Sequence, residues 1–97
     1  MLLLLFFVYL NAAFGKSNCE NLIAKFAYKT KGLTVSFENR SVGDVEQVIW
    51  TFDDGSVVSE PNPAYTFKSP GEHHFTLTVL NSNGCSNTFA GKVYLFP

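Results

Sequence analysis

The sequence predicts a single all-β domain, a sandwich of about seven short strands. Three observations carry this. Apolar and polar residues alternate in short runs, the two-residue period of strands with one buried face. Turn-forming residues recur about every eight to twelve positions, the spacing of a sandwich rather than of strand–helix units. No segment after residue 15 carries the 3.6-residue period of an amphipathic helix.

The first strand is expected over residues 23–28, where I-A-K-F-A-Y alternates apolar and polar positions. The second, over 33–38, places Leu33, Val35 and Phe37 on one face; the third, over 46–52, does the same with Val48, Trp50 and Phe52. Trp50 is the expected centre of the core. Asp54-Gly55 then predicts a two-residue hairpin turn, because Gly accepts the positive φ such a turn requires. Residues 57–59 read as a short edge strand. Asn62-Pro63 interrupts the ladder and residues 64–67 restart it. Ser69-Pro70-Gly71 carries a type II turn signal, with Pro fixing φ and Gly free to turn positive. Residues 73–80 place Phe75, Leu77 and Val79 on one face. Residues 87–96 close the domain, with Phe89, Val93 and Leu95 inward and a bulge expected near Ala90-Gly91.

The order of these signals is specific. L-T-V-S-F-E-N-R-S over 33–41 precedes W-T-F-D-D-G over 50–55, N-P-A-Y-T-F over 62–67, S-P-G over 69–71 and H-H-F-T-L-T-V-L-N over 73–81. Across about residues 23–95 the chain resembles the PKD (polycystic kidney disease)-type immunoglobulin-like domain. The resemblance implies an immunoglobulin-like β-sandwich whose motif and core residues are Trp50, Phe52, Asp54, Gly55, Asn62, Pro63, Pro70, Gly71, Leu77 and Val79. The sequence departs from the family pattern at several places. Thr51 stands for the usual Asp, Asp53 for Gly, Tyr65 and Phe67 for His and Tyr, and His73 for a strand Tyr. The function implied is that of a secreted or cell-surface, non-catalytic module for protein interaction, adhesion or domain spacing. The alternative is a polysaccharide- or matrix-binding accessory module of a secreted hydrolase. The Gly84-Cys85-Ser86 turn, with a second Cys near the first strand, resembles versions in secreted proteins of Bacteroidetes-type bacteria.

Residues 1–15 read as a signal peptide. Leu2–Leu10 is an uncharged apolar run, and Ala13 and Gly15 put small residues at −3 and −1 of a cleavage site after Gly15. The run is too short to span a membrane, which takes about 20 apolar residues. Lys16-Ser17-Asn18 before Cys19 is unlike a lipoprotein anchor site. The domain is then expected over residues 16–97, secreted or at the cell surface, with no transmembrane segment after cleavage. The seven basic and eight acidic residues all follow Gly15, with no run of one sign and a net charge of −1. That argues against nucleic acid or an anionic membrane as partner and leaves an extracellular protein or polysaccharide. A chain this short buries only about 60% of its unfolded surface, so a covalent staple is useful. The two cysteines, Cys19 and Cys85, allow one intrachain pairing. The ending Val93-Tyr94-Leu95-Phe96-Pro97 reads as a last strand running into a linker, with further domains expected beyond Pro97.

No cofactor, metal or catalytic residue is assigned. Asp53-Asp54-Gly55, helped by Glu60 or Asp44, could offer hard oxygen ligands to calcium, but the same residues are ordinary hairpin chemistry. His73 and His74 are neighbours on a strand, so they point to opposite faces and cannot share one ion; one is expected at the core edge and one in solvent. There is no G-x-S-x-G elbow for a nucleophile. Asn39-Arg40-Ser41 is a glycosylation sequon that also fits a strand end with Asn and Ser bonding the backbone. Tyr28, Tyr65 and Tyr94 are candidates for a row of exposed rings that stack on sugars.

Overall fold

The structure, a computed structural model, describes residues 21–97. The signal-peptide assignment and Cys19 therefore lie outside the described residues. Seven strands form: β1 (Phe26–Lys31), β2 (Thr34–Asn39), β3 (Gln47–Phe52), β4 (Val57–Val58), β5 (Ala64–Thr66), β6 (Gly71–Leu80) and β7 (Ser86–Leu95). They assemble into a three-stranded sheet, β1-β2-β5, and a four-stranded sheet, β4-β3-β6-β7. Every neighbouring pair is antiparallel. The described residues contain no helix.

The alternation decides which face of each strand is inside. Val35 and Phe37 of the first sheet meet Trp50, Phe52, Phe75, Leu77, Val79, Val93 and Leu95 of the second, all buried. Aromatic rings join the layers: Phe37 lies 4.7 Å from Trp50 and 5.0 Å from Phe75 between centroids. Such contacts add about 0.5–1.5 kcal/mol each beyond the area they bury.

Four expectations differ from the structure. β1 runs to Lys31, and only an isolated bridge between Ile23 and Val42 represents its expected start. Gly32, at φ +59°, turns the chain back into β2, a conformation suited to the first position of a two-residue hairpin. The Asp54-Gly55 turn is a three-residue loop, not a two-residue one. Phe52 accepts from the Gly55 N–H and donates to Ser56 O, both at 2.9 Å. Only Gly55 takes positive φ (+88°), since no non-Gly residue does, so Asp53-Asp54 form the turn and Gly55 the left-handed closing residue. β7 has no bulge at Ala90-Gly91, because its register against β6 is unbroken from Ser86 to Leu95. Gly91 instead makes room for Phe75: a Cβ there would lie 2.7 Å from Phe75 Cζ. Phe89 lies on the inner side of β7 but remains 45% exposed, because it overhangs the sandwich edge with its ring against Phe26.

Candidate functional site

Two turns meet at one end of the sandwich, and the polar residues singled out in the sequence gather there. In the β3–β4 loop, Asp54 Oδ1 accepts the Ser56 N–H at 2.9 Å, closing an Asx turn. Its Oδ2 accepts the hydroxyl of Tyr65, which also lies 2.9 Å from Ser56 Oγ. Tyr65 belongs to β5, so this contact ties one sheet to a loop of the other. The Tyr65 ring stacks on Phe52 at 4.0 Å. The Tyr65 hydroxyl and the Ser56 N–H hold the Asp54 carboxyl down to about 2, while the bond given to Asp54 raises the Tyr65 phenol above its ordinary value.

Asp53 serves the neighbouring turn. Its Oδ2 accepts the His74 N–H at 3.1 Å and lies 2.9 Å from His73 Nδ1. His73 Nε2 lies 2.7 Å from the Ser69 carbonyl oxygen, and its ring stacks on Phe67 at 4.3 Å. A carbonyl only accepts, so Nε2 carries a proton, and a second proton on Nδ1 completes the bond to Asp53. The Ser69 carbonyl first, and Asp53 with it, raise the His73 pKa against the opposing pull of burial. His74 is on the opposite face, exposed, with Nε2 2.9 Å from Glu72 Oε2.

This arrangement orders the two turns. Asp53, His73 and Ser69 are the residue types of a hydrolytic triad, but Ser69 meets the imidazole with its carbonyl, not its hydroxyl. A nucleophile must itself be within reach of the base. The hollow between Asp53, Asp54, Phe67, Lys68, Ser69 and His73 holds about 230 Å³. Asp44, considered as a calcium ligand with Asp53 and Asp54, lies elsewhere, accepting from Ser82 Oγ. Among the described residues no three His, Cys, Asp or Glu side chains come together as a metal site.

The remaining motif residues occupy structural posts. Trp50, Leu77 and Val79 are fully buried and Phe52 nearly so. Asn62 Oδ1 accepts the Asn39 N–H at 2.8 Å, and Pro63 O accepts the Phe37 N–H at 2.9 Å, fixing β5 against β2. Pro70 is exposed in the turn before β6, and Gly71 there takes φ +106°. Asn39, of the sequon, ends β2 with Oδ1 on the Ser41 N–H. The three tyrosines do not form one row: Tyr28 is on β1, Tyr65 is packed in the core edge, and Tyr94 is on β7 of the other sheet. Sequence reasoning missed Asn81. Its buried Oδ1 accepts the N–H groups of Asn83 and Cys85, each at 2.9 Å, shaping the β6–β7 turn. An Asn two residues before Asn83-Gly84 was the available signal.

Family comparison decides what this sandwich is. Residues 24–94 match the PKD domain. The chain belongs to the PKD domain family. As a PKD domain it is a non-catalytic module. It is 32% identical over 79 residues to the pre-pro-metalloprotease PrtV of Vibrio cholerae, covering 76% of this chain and 9% of that protein. It is 33% identical over 67 residues to a microbial collagenase of Vibrio alginolyticus, covering 67% of this chain and 8% of that one. The chain thus spans less than a tenth of these relatives. Among solved structures, the PKD1 domain of V. cholerae PrtV superposes with a TM-score of 0.75 at 26% identity, covering 79% of this chain and 99% of that one. The PKD1 domain of Vibrio anguillarum Epp does so with 0.72 at 33%, covering 79% and 98%. These relatives are Vibrio proteins, and the Bacteroidetes-type provenance expected from the Gly84-Cys85-Ser86 turn has no support.

Proposed function

We propose that this PKD domain is a secreted or cell-surface module that spaces, or makes protein contacts for, a hydrolytic partner domain. The observation behind this is the pairing of a complete sandwich with relatives named as proteases in which the matching segment is under a tenth of the length. Turns held by side-chain bonds, as at Asp54–Tyr65 and Asp53–His73, suit a rigid spacer. Residues 1–15 act as the signal peptide, Cys19 pairs with Cys85, and further domains follow Pro97. No helix among the described residues is long and apolar enough to cross a membrane.

Intact mass of the native secreted product tests the organisation. The reading expects a chain beginning at Lys16, heavier than residues 16–97 alone, that gains two mass units on reduction. Deletion of residues 24–94 from that product tests the role. Hydrolysis of a short soluble peptide should be unchanged, and hydrolysis of a large or insoluble protein substrate should slow. Loss of activity on the short peptide would falsify a purely positional role.

The polysaccharide reading keeps one observation. Tyr94 and Phe96 are 61% and 71% exposed and stack at 6.1 Å with planes 26° apart. Retention on insoluble polysaccharide that disappears in Tyr94→Ala, with the fold intact, would support it; the same retention in that variant removes it.

A further inference from the structure

β1 is the edge of its sheet among the described residues, paired with β2 on one side. The bonds that continue this pairing just before β1 fall at odd positions and set its phase: Ile23 exchanges both bonds with Val42, and Lys25 O accepts the Arg40 N–H. In an antiparallel ladder the backbone groups of alternate residues point to opposite sides. Phe26, Tyr28 and Thr30 therefore direct their N–H and C=O groups away from β2. One position earlier, the Ala24 N–H is taken by Asn87 Oδ1 of β7, which leaves the run from Phe26 to Thr30 as the open part of the edge.

The two faces of that edge differ in chemistry. On the outer face lie Lys25, Lys29 and Lys31, with Arg40 across from Lys25, all exposed. Four of the chain's seven basic residues are thus gathered on one face, with Glu38 of β2 as the acidic residue there, paired with Arg40. The charges look dispersed along the chain, but the β1–β2 hairpin brings them together. On the inner face Phe26 and Tyr28 stack, with centroids 6.2 Å apart, and Phe89 meets Phe26 at 5.1 Å. Tyr28 and Phe89 are 43% and 45% exposed. A hollow of about 350 Å³ opens beside the edge between Ala24, Lys25, Phe26, Arg40 and Phe89.

We propose that β1 accepts an extended peptide of alternating acidic and apolar residues, which adds as a further strand beside Phe26–Lys31. The open backbone groups supply the ladder, and alternate side-chain sites supply selectivity, the division of labour of strand addition. Acidic side chains meet Lys29 and Lys31 on the outer face; apolar ones cover Phe26, Tyr28 and Phe89 on the inner. Edge lysines discourage pairing with neutral or basic strands, and a second copy of β1 would set Lys29 and Lys31 against like charges. A sugar polymer fits less well. The Phe26 ring is nearly parallel to Tyr28 (15°) but steeply inclined to Phe89 (64°), so the three rings share no flat platform.

This inference deepens the protein-contact reading above and has its own test. The full chain, isotope-labelled, is titrated with ten-residue peptides alternating Asp and Val, or Lys and Val, and with polygalacturonate. The expected result is binding of the Asp/Val peptide, with slowed hydrogen exchange at the amides of Phe26, Tyr28 and Thr30. Lys29→Glu with Lys31→Glu should weaken that peptide at least tenfold and favour the Lys/Val one. Thr30→Pro removes an outward N–H without touching the bonds to β2, so it should weaken binding at unchanged Tm. No peptide binding, or binding without protection of these amides, overturns the proposal. So does polygalacturonate binding that depends on the lysines while the edge amides stay unprotected. The deletion above removes the whole domain, β1 included, whereas these substitutions alter β1 alone and are read by peptide binding rather than by hydrolysis, so either reading can fail without the other.

Discussion

Trp50 is fully buried, and its indole N–H has no hydrogen-bond partner among the described residues. Its value is therefore volume and ring contact, with Phe37 at 4.7 Å and Phe75 at 6.1 Å. Trp50→Ala should cost about 3–5 kcal/mol, a large part of the stability of so small a domain. Trp50→Phe keeps much of the ring and removes the unsatisfied donor, whose burial is itself costly, so its cost should be clearly smaller. Urea unfolding of both variants checks the order; equal losses would mean that a phenyl ring does not replace the packing of the indole. His73 and Asp54 contribute to the pH dependence in opposite senses. The raised pKa of His73 means that folding favours its protonated form. Its contribution is complete below the ordinary value of 6.5 and is lost as pH rises through the higher folded value. Asp54 runs the other way, contributing above 3.8 and losing its effect as pH falls through about 2. Melting the wild type and His73→Gln from about pH 5 to 9 should show a fall in Tm through the alkaline half for the wild type and a flatter profile for the variant. Parallel profiles would remove His73 from the account. Tyr65→Phe should return the Asp54 pKa toward its ordinary value, followed by carboxyl chemical shifts.

The strands show where sequence was sufficient and where it was not. β2, β3 and β6 were legible because each carries apolar residues at alternating positions that the opposite sheet covers: Val35 and Phe37 in β2, and three apiece in β3 and β6, such as Phe75, Leu77 and Val79. β1 was misplaced because its second half, Lys29-Thr30-Lys31, is an exposed edge with no buried residue to mark it. The polar end was only partly legible. Asp53 and His73 each read as a departure from the family pattern, and Tyr65 as a third. Folding pairs Asp53 with His73 and Tyr65 with Asp54, contacts across 20 and 11 positions that no local pattern encodes. An isolated Gly in a strand admits either a bulge or a close neighbour, and at Gly91 it is the neighbour, Phe75. Gly91→Ala should then cost about 1–3 kcal/mol by overpacking, because the Phe75 ring is held edge-on by Phe26 at 5.1 Å and cannot withdraw freely. A variant as stable as wild type would mean that the ring has room to move.

At the scale of the whole molecule, the two sheets are joined mainly by the aromatic core and by the Tyr65–Asp54 bond at one end. At the far end of β6, Asn81 fixes the turn that carries Cys85, accepting its N–H while Asn81 N donates to Cys85 O at 3.0 Å. Cys85 is half-buried against the core. The proposed pairing encloses about 67 residues, which in the chain-entropy view stabilises the fold by about 4 kcal/mol. Because that gain comes from restricting the unfolded chain, it need not alter the folded core. Reduction should therefore lower the urea midpoint by an amount corresponding to about 2–4 kcal/mol while Trp50 fluorescence of the folded state stays the same. The Cys19→Ser, Cys85→Ser double variant should unfold at the reduced protein's midpoint with or without reductant. A wild-type midpoint indifferent to reductant would leave the aromatic core and the turn bonds as the means by which so short a chain stays folded.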